Sequence, residues 1–430
     1  MIYKRRGGTV RCPDSLAEAE RHAMSILSLH APPLRPTAAP KRVPQQRLDE
    51  LDLGALTRRF AAGAEALDRT AAFPFDNLAA LHAHGLVGAV VPVAAGGGGA
   101  RLAQARRIVA ATARGEPSTA LVLTMSYLVH RALARSDSRW SPALRDAVWH
   151  SAVAQGALVN NLRVEPELGS PARGGLPATI ARRSGDGWRL SGHKLYTTGI
   201  PGLRWLAVWA RTDERPPRVG VFLVPRDPAQ PATPGIRIVE SWDHLGLRAS
   251  GSHEVVFDDV ALPLDHAVDV RPLADWAAGP EPDQYAWMIA LLGALYDGVA
   301  RAARDWLLTF LAERRPGSLG APLASVPRVQ QTVGEIDALL WANDALLDGL
   351  VRATDAGTPP SAIESGLVKY GVTGNATRAV ELALQLTGNH GLSRHNPLER
   401  HWRDVQCSRI HTPQNDSILV SAGLAAFATR

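Results

Sequence analysis

Only two cysteines, Cys12 and Cys407, occur in 430 residues, and they lie far apart. That excludes a disulfide framework and any cysteine-rich zinc site, so no metal is expected and a reducing cytosol is the simplest compartment. No stretch reaches the roughly 20 uninterrupted apolar residues of a membrane span. The first 45 residues contain KRR but no signal-peptide core, because Asp14, Glu18, Glu20 and Arg21 interrupt it. The formal charge of +6 comes mainly from arginine and is spread along the chain. With no dense basic run interleaved with aromatics, this argues poorly for nucleic acid and somewhat better for an anionic ligand. The glycine run Gly96–Gly99 lacks the strand-to-helix fingerprint of a dinucleotide fold and reads as a loop between helices.

What is present divides by texture. Residues 1–45 form a basic, Pro-rich lead with the composition of a flexible or extended segment. Residues 46–158 carry apolar residues at three and four spacing, as in LDLGALTRRFAAGAEALDRT, the mark of amphipathic helices. Residues 159–270 switch to short β-rich segments such as WRLSGHKLYTT, RWLAVWART and VGVFLVPRD, separated by the turns SGDG, DERPP and DPAQPATPG. Long helical periodicity returns over 271–430. The expected class is α+β: an N-terminal helical domain, a middle β-barrel domain and a C-terminal four-helix bundle. Within the last part, Leu398–Ile418 crowds Arg400, His401, Arg403, Asp404, Arg409, His411 and Asp416 into one segment. So dense a polar cluster between apolar helices points to a site.

That order, and several words within it, resemble the acyl-CoA dehydrogenase superfamily of flavoproteins over nearly the whole chain. Arg163–Pro171, RVEPELGSP, is similar to the flavin and thioester contact loop T-E-P-x-x-G-S-D, with Val164 in the threonine place, Ser170 in the serine place and Pro171 in the aspartate place. Gly192–Gly199, GHKLYTTG, resembles G-x-K-x-W-I-T-N, whose aromatic lies against the isoalloxazine; Tyr196 and Thr198 take the aromatic and threonine places. Arg314 followed by Leu319–Leu323 resembles the R-x-x-F-G sequence that holds flavin phosphates across a subunit interface, with two extra residues between. Ala383–Asp404 resembles A-x-Q-x-x-G-G-x-G followed by P-x-E-R-x-x-R-D, matching at Gln385, Gly388, Gly391, Glu399, Arg400, Arg403 and Asp404, with Asn389 replacing a glycine. The resemblance implies a cofactor held by Val164, Tyr196, Thr198, Arg314, Gln385 and Gly388, with Ser170 at the substrate. The cofactor would be FAD, or alternatively FMN. Glycine backbone and paired guanidinium hydrogen bonds suit a pyrophosphate, and a tyrosine suits a planar ring.

The departure lies at the catalytic base. Most of the family removes a proton beside a thioester carbonyl with a Glu that follows the R-D pair in I-Y-E-G-T. Counting from Arg403 and Asp404 puts Ile410, His411 and Thr412 on the first three places. Members that carry the base on the first long helix of the bundle would have it near Met288, which cannot accept a proton. His411 or Asp416 then stand in as candidate catalytic groups, with Thr412 in the base's own place. A second branch, the dibenzothiophene monooxygenase-like flavoenzymes, is similar at Lys194, Tyr196, Thr198 and Gly199, at Trp242, Asp243, Gly246 and Arg248, and at Arg409, His411 and Thr412. In that branch reduced flavin reacts with oxygen, no Glu base is needed, and a His donor helps stabilise a peroxide adduct.

Two enzymatic expectations follow: an FAD-dependent acyl-CoA dehydrogenase-like oxidoreductase acting on an acyl-CoA or related small molecule with an atypical base, or a monooxygenase. A non-catalytic flavin-binding relative is the third. The corresponding electron partners are an electron-transfer flavoprotein or a flavin reductase. The cross-subunit Arg implies a homodimer or homotetramer.

Overall fold

Helix starts are written in the local sequence. Glu116 accepts from the backbone N–H groups of Ser118 (3.0 Å) and Thr119 (2.6 Å), and Pro117 fixes the first helical turn. Ser361 and Glu364 form a reciprocal capping box, with N–H to side-chain distances of 3.2 and 2.9 Å. The protein is seen in a computed structural model that describes residues 48–168, 175–230, 232–276 and 281–428. The basic lead expected over 1–45, and Ser170, lie outside the described residues.

Among the described residues five helices come first: α1 (Gly54–Thr70), α2 (Phe75–Ala83), α3 (Leu102–Gly115), α4 (Pro117–Leu133) and α5 (Pro142–Gln155). Eight strands follow: β1 (Leu158–Leu162), β2 (Ile180–Ser184), β3 (Gly187–Lys194), β4 (Leu203–Thr212), β5 (Arg218–Pro225), β6 (Ile236–Val239), β7 (Glu254–Pro263) and β8 (Ala267–Pro272). The chain then returns to helices α6 (Pro282–Glu313), α7 (Pro327–Asp355), α8 (Ala362–Thr387), the short α9 (Asn389–Leu392), α10 (Leu398–Gln406) and α11 (Asn415–Ala428). The strands make one sheet in the order β6-β7-β3-β2-β4-β5-β8, with β1 parallel to β4. Helix α4 ties the first helices to this sheet, since the Ser126 hydroxyl lies 3.0 Å from the Val159 carbonyl oxygen and 3.2 Å from its N–H. The α+β class and the helical, β, helical order expected from the sequence are both present.

Helix α6 is the hub, packing on α3, α4, α7, α8 and α10. It is long and apolar enough by composition to cross a membrane, but its most apolar 18-residue window is 83% buried inside the fold. Gly298 lets α3 approach, because a Cβ there would meet the Ala110 carbonyl oxygen and the Ala113 Cβ at 2.9 Å each. One polar chain crosses this apolar core. Arg301 Nε bonds Asp297 (2.6 Å), whose other oxygen accepts from Asn343 Nδ2 (3.0 Å), and Asn343 Oδ1 accepts from Asn375 (3.0 Å). It joins α6, α7 and α8, and a buried network of this kind is stabilising only while every member is met. Asn343→Leu leaves Asp297 and Asn375 short of partners and is expected to lower stability by about 2–3 kcal/mol in urea denaturation.

Candidate functional site

One corner of the sheet gathers three of the expected cofactor residues. Lys194, the last residue of β3, is fully buried and pairs with Glu165 beyond β1 (Nζ to Oε1 2.7 Å), also donating to the Trp209 carbonyl at 2.5 Å. The Glu165 carboxylate accepts further from Ala178 N (2.6 Å), Thr179 N (3.0 Å) and Thr179 Oγ1 (2.6 Å). A buried pair is tolerated when its remaining lone pairs are met in this way. Burial still pushes the Lys194 ammonium down to about 8, against the pull of Glu165.

From this anchor two loops run side by side, since Leu195 N donates to the Val164 carbonyl at 3.0 Å. Tyr196 follows in the left-handed region, φ 53°, with its ring 55% exposed. Such a backbone costs an aromatic residue about 1–3 kcal/mol and is found where the surroundings need the side chain there. The ring stands edge-on to Trp242 and His244 (centroids 6.4 and 6.0 Å), which stack on each other at 3.6 Å. Thr198 is buried, its hydroxyl 3.0 Å from that of Ser252 and its carbonyl accepting from Asn160 Nδ2 at 2.9 Å. The buried Thr197 hydroxyl has no partner among the described residues. An exposed aromatic ledge beside an unpartnered hydroxyl fits a planar ring with a polar edge, such as a flavin. Val164, half-buried, offers it no side-chain hydroxyl.

The ledge is fastened to the helical bundle. Gly246 lies flat on α10: a Cβ there would meet the Arg403 carbonyl oxygen at 2.4 Å and the Asp404 Cα at 2.8 Å. Leu247 N donates to Asp404 Oδ1 at 2.7 Å. Arg403 reaches Asp68 of α1 (2.8 and 2.6 Å), Glu399 (2.8 and 2.9 Å) and the Leu245 carbonyl (2.8 Å). The glycine of W-D-x-x-G-x-R and the R-D pair are thus halves of one seam.

Past α10 the chain turns through residues 407–414. His411, half-buried, bonds through Nδ1 to the hydroxyl of Tyr296, which is fully buried in the middle of α6. Lys369 of α8, also fully buried, donates to the carbonyls of Ser408 (3.1 Å) and Pro413 (2.7 Å) and so grips both ends of the turn. Burial, reinforced by the Lys369 charge, pushes the His411 imidazole down to about 4. Thr412 is exposed. Asp416 is exposed in the first turn of α11, where its carboxylate accepts from Ser417 N at 2.8 Å. Met288 is half-buried on α6 and offers no acceptor.

The remaining expected cofactor residues lie elsewhere. Arg314 is exposed where α6 ends, and Gln385 and Gly388 are exposed where α8 ends. The rings of Phe310 and His390, 5.3 Å apart, hold those two ends together. At 1.5 Å per residue, Arg314 lies about 27 Å along α6 from Tyr296, the partner of His411. Two open clefts, of about 510 and 630 Å³, flank Arg400 between α1 and α10; Arg403 lines the first and His401 the second, and neither is lined by the expected cofactor or catalytic residues. Tyr296 and Lys369 were not singled out from the sequence. Each sits in an apolar helical run, LLGALYDGVA and SGLVKYGV, where only the packing tells a functional polar group from a helix surface.

The seam has its own pH signature. Burial pushes the Asp404 carboxyl up to about 7, with Arg400 and the Leu247 N–H only partly opposing it. A folded-state value raised above the unfolded one stabilises the fold fully below about pH 4 and loses that contribution as pH rises through about 7. Asp404→Asn keeps an acceptor for Leu247 and is expected to remove this slope. The melting temperature of the parent should fall from pH 5 to pH 8 more than that of the variant.

Against this geometry, three acyl-CoA dehydrogenase family descriptions match in chain order: the N-terminal domain over residues 53–138, the middle domain over 164–260 and the C-terminal domain over 290–415. The chain is 31% identical over 385 residues to the "Putative acyl-CoA dehydrogenase YdbM" of Bacillus subtilis, covering 89% of this chain and 97% of that protein. It is 29% identical to the L-evernosamine nitrososynthase of a Micromonospora species, over 84% of this chain and 85% of that one. Among solved structures, KijD3 in complex with FMN and dTDP-3-amino-2,3,6-trideoxy-4-keto-3-methyl-D-glucose superposes with a TM-score of 0.76 at 28% identity, covering 91% of this chain and 96% of that one. With all three domains matched in order and a relative at 31% identity covered over nearly its full length, the chain belongs to the acyl-CoA dehydrogenase superfamily of flavoproteins.

Proposed function

We infer that the protein is a flavin-dependent monooxygenase-type oxidoreductase acting on a small organic molecule, with Tyr196 and Thr198 lining the flavin ring and His411 facing the reacting centre. The observation that carries this is the turn after α10, which has Thr412 where most of the family has its carboxylate and presents the imidazole of His411 one residue earlier. A general base works best with a pKa near the operating pH. His411 at about 4 is a poor proton acceptor near neutrality but a permanent hydrogen-bond donor. The nearby carboxylates do not replace it: Asp404 is spent on Leu247, and Asp416 on the N-terminus of its own helix. A bound reduced flavin would supply the electrons for oxygen activation. His411 would stabilise negative charge developing on the bound oxygen, and Lys369 would keep the turn rigid while it does so. A flavin reductase is the matching electron source. The likeness to the Micromonospora nitrososynthase and to FMN-bound KijD3 supports FMN beside FAD as cofactor.

A second reading, dehydrogenation of an acyl-CoA with electron-transfer flavoprotein as acceptor, is favoured by the likeness to the Bacillus subtilis relative. In either case Arg314, Gln385 and Gly388 would serve the flavin of a neighbouring subunit in a homodimer or homotetramer. The exposed Trp341, Leu424 and Phe427 support such an assembly, being 74%, 66% and 74% accessible in the isolated chain. Light scattering on the purified protein should then give a mass of two or four chains.

Flavin titration is expected to saturate, and Tyr196→Ala to weaken binding by up to about tenfold, the loss of one ring contact of about 0.5–1.5 kcal/mol. In stopped flow, the reduced complex should return to oxidised flavin in two resolved phases on mixing with oxygen. Anaerobic bleaching of the oxidised flavin by any of a panel of acyl-CoA thioesters would overturn the monooxygenase assignment in favour of the dehydrogenase.

A further inference from the structure

We propose that Tyr296 and Lys369 are positioning residues that hold His411 as a neutral imidazole with its proton on Nε2, making it a fixed donor toward the flavin face. The inference rests on the flavin reading for its purpose, but its evidence lies in the packing of three elements.

The Tyr296 side chain is enclosed at the centre of α6, and its hydroxyl reaches His411 Nδ1. A buried hydroxyl carries one proton that needs an acceptor, and among the described residues its recorded partner is that nitrogen. Burial, with Cys407 and Asp404 nearby, holds the phenol proton on. If Nδ1 carried the proton it would donate to the phenol oxygen, and the buried O–H proton would be left without an acceptor among the described residues. The proton of a neutral His411 therefore sits on Nε2, the ring nitrogen left available to a ligand.

Lys369 excludes the other alternative, a doubly protonated ring. Its ammonium bonds the Ser408 and Pro413 carbonyls on either side of His411 and has no carboxylate partner among the described residues. Burial lowers this ammonium to about 8, so below that pH it is charged, not neutralised locally, and opposes a second positive charge on the imidazole. Tyr296 from α6 and Lys369 from α8 face the imidazole, while Cys407 and Asp404, from the turn after α10 and from α10, act on the Tyr296 hydroxyl. Cys407 stays a neutral thiol, burial pushing it up to about 12. Asp404 faces the Leu247 N–H on the sheet side of the seam.

The test uses the unliganded full-length chain with ¹⁵N-labelled histidine, the His411 signals being assigned by their loss in His411→Gln. Long-range ¹H–¹⁵N correlation separates the two neutral tautomers and the charged ring. The parent is expected to show the Nε2–H form from pH 8 to pH 5 with no charging. Tyr296→Phe, nearly isosteric, should admit the Nδ1–H form. Lys369→Met should keep the tautomer but move charging upward by about one pH unit or more. An Nδ1–H or charged His411 in the parent, or an unchanged tautomer in Tyr296→Phe, would overturn the proposal. Should Lys369→Met fail to fold, the parent and Tyr296→Phe spectra still decide it. Because no flavin is present, a failure here is distinct from a failure to bind flavin, which would sink the functional reading while leaving the tautomer as measured.

Discussion

The fork made by Arg403 holds the site together. A guanidinium presents five donors in one plane, so it can satisfy two carboxylates and a carbonyl at once, which a lysine ammonium cannot do with the same geometry. Here the carboxylates are Asp68 on α1 and Glu399 on α10, and the carbonyl is that of Leu245 in the loop before β7. Three parts of the molecule far apart in sequence meet at one side chain. With Gly246 pressed on the α10 backbone and Leu247 bonded to Asp404, the aromatic ledge is set in a fixed relation to α10, the helix that leads into the His411 turn. Neither the sheet nor the bundle could orient them alone.

Two fully buried lysines show how the fold separates scaffold from chemistry. Lys194 faces a carboxylate, and the pair closes on itself with every remaining Glu165 contact met inside the sheet. Its charge is cancelled where it stands, leaving a rigid post from which Val164 and Tyr196 project. Lys369 faces only carbonyl dipoles, so its charge stays uncompensated at short range. In a low-dielectric surround such a charge favours negative charge developing nearby and opposes a second cation. The same residue type is structural in one place and electrostatic in the other, and the difference is the partner.

This division also marks what could be read from the sequence. The order of helices and strands followed from periodicity alone, because burying one face imposes a period of 3.6 or 2 on any chain. Tyr196 and Thr198 were legible as a pair because one short word fixes both on the same loop. Gly246 stood out within a motif, but its reason, the missing Cβ against Arg403, needed the packing. Asp416 looked as suitable as His411 in a string of letters, and only the start of α11 shows its carboxylate turned to its own backbone. Arg314, Gln385 and Gly388 were grouped with Tyr196 by resemblance, and they stand at the exposed ends of α6 and α8. Tyr296 and Lys369 had no signal at all, since an amphipathic pattern counts polar residues and cannot say which is enclosed.

The segment 398–418 illustrates why a scaffold of this kind can change its chemistry. Its first half, LERHWRD, contributes Arg403 and Asp404 to the seam, and none of those bonds involves residues 411–413. Its second half is gripped from α6 and α8 instead, by Tyr296 and Lys369. Losing a carboxylate at position 412 therefore strains nothing in the seam, and a histidine one place earlier finds its own support in the bundle. Attachment of the turn and docking of the sheet are mechanically separate. A change of residue in the turn would then leave the docking of the sheet as it is, and in this way one fold can host unrelated reactions.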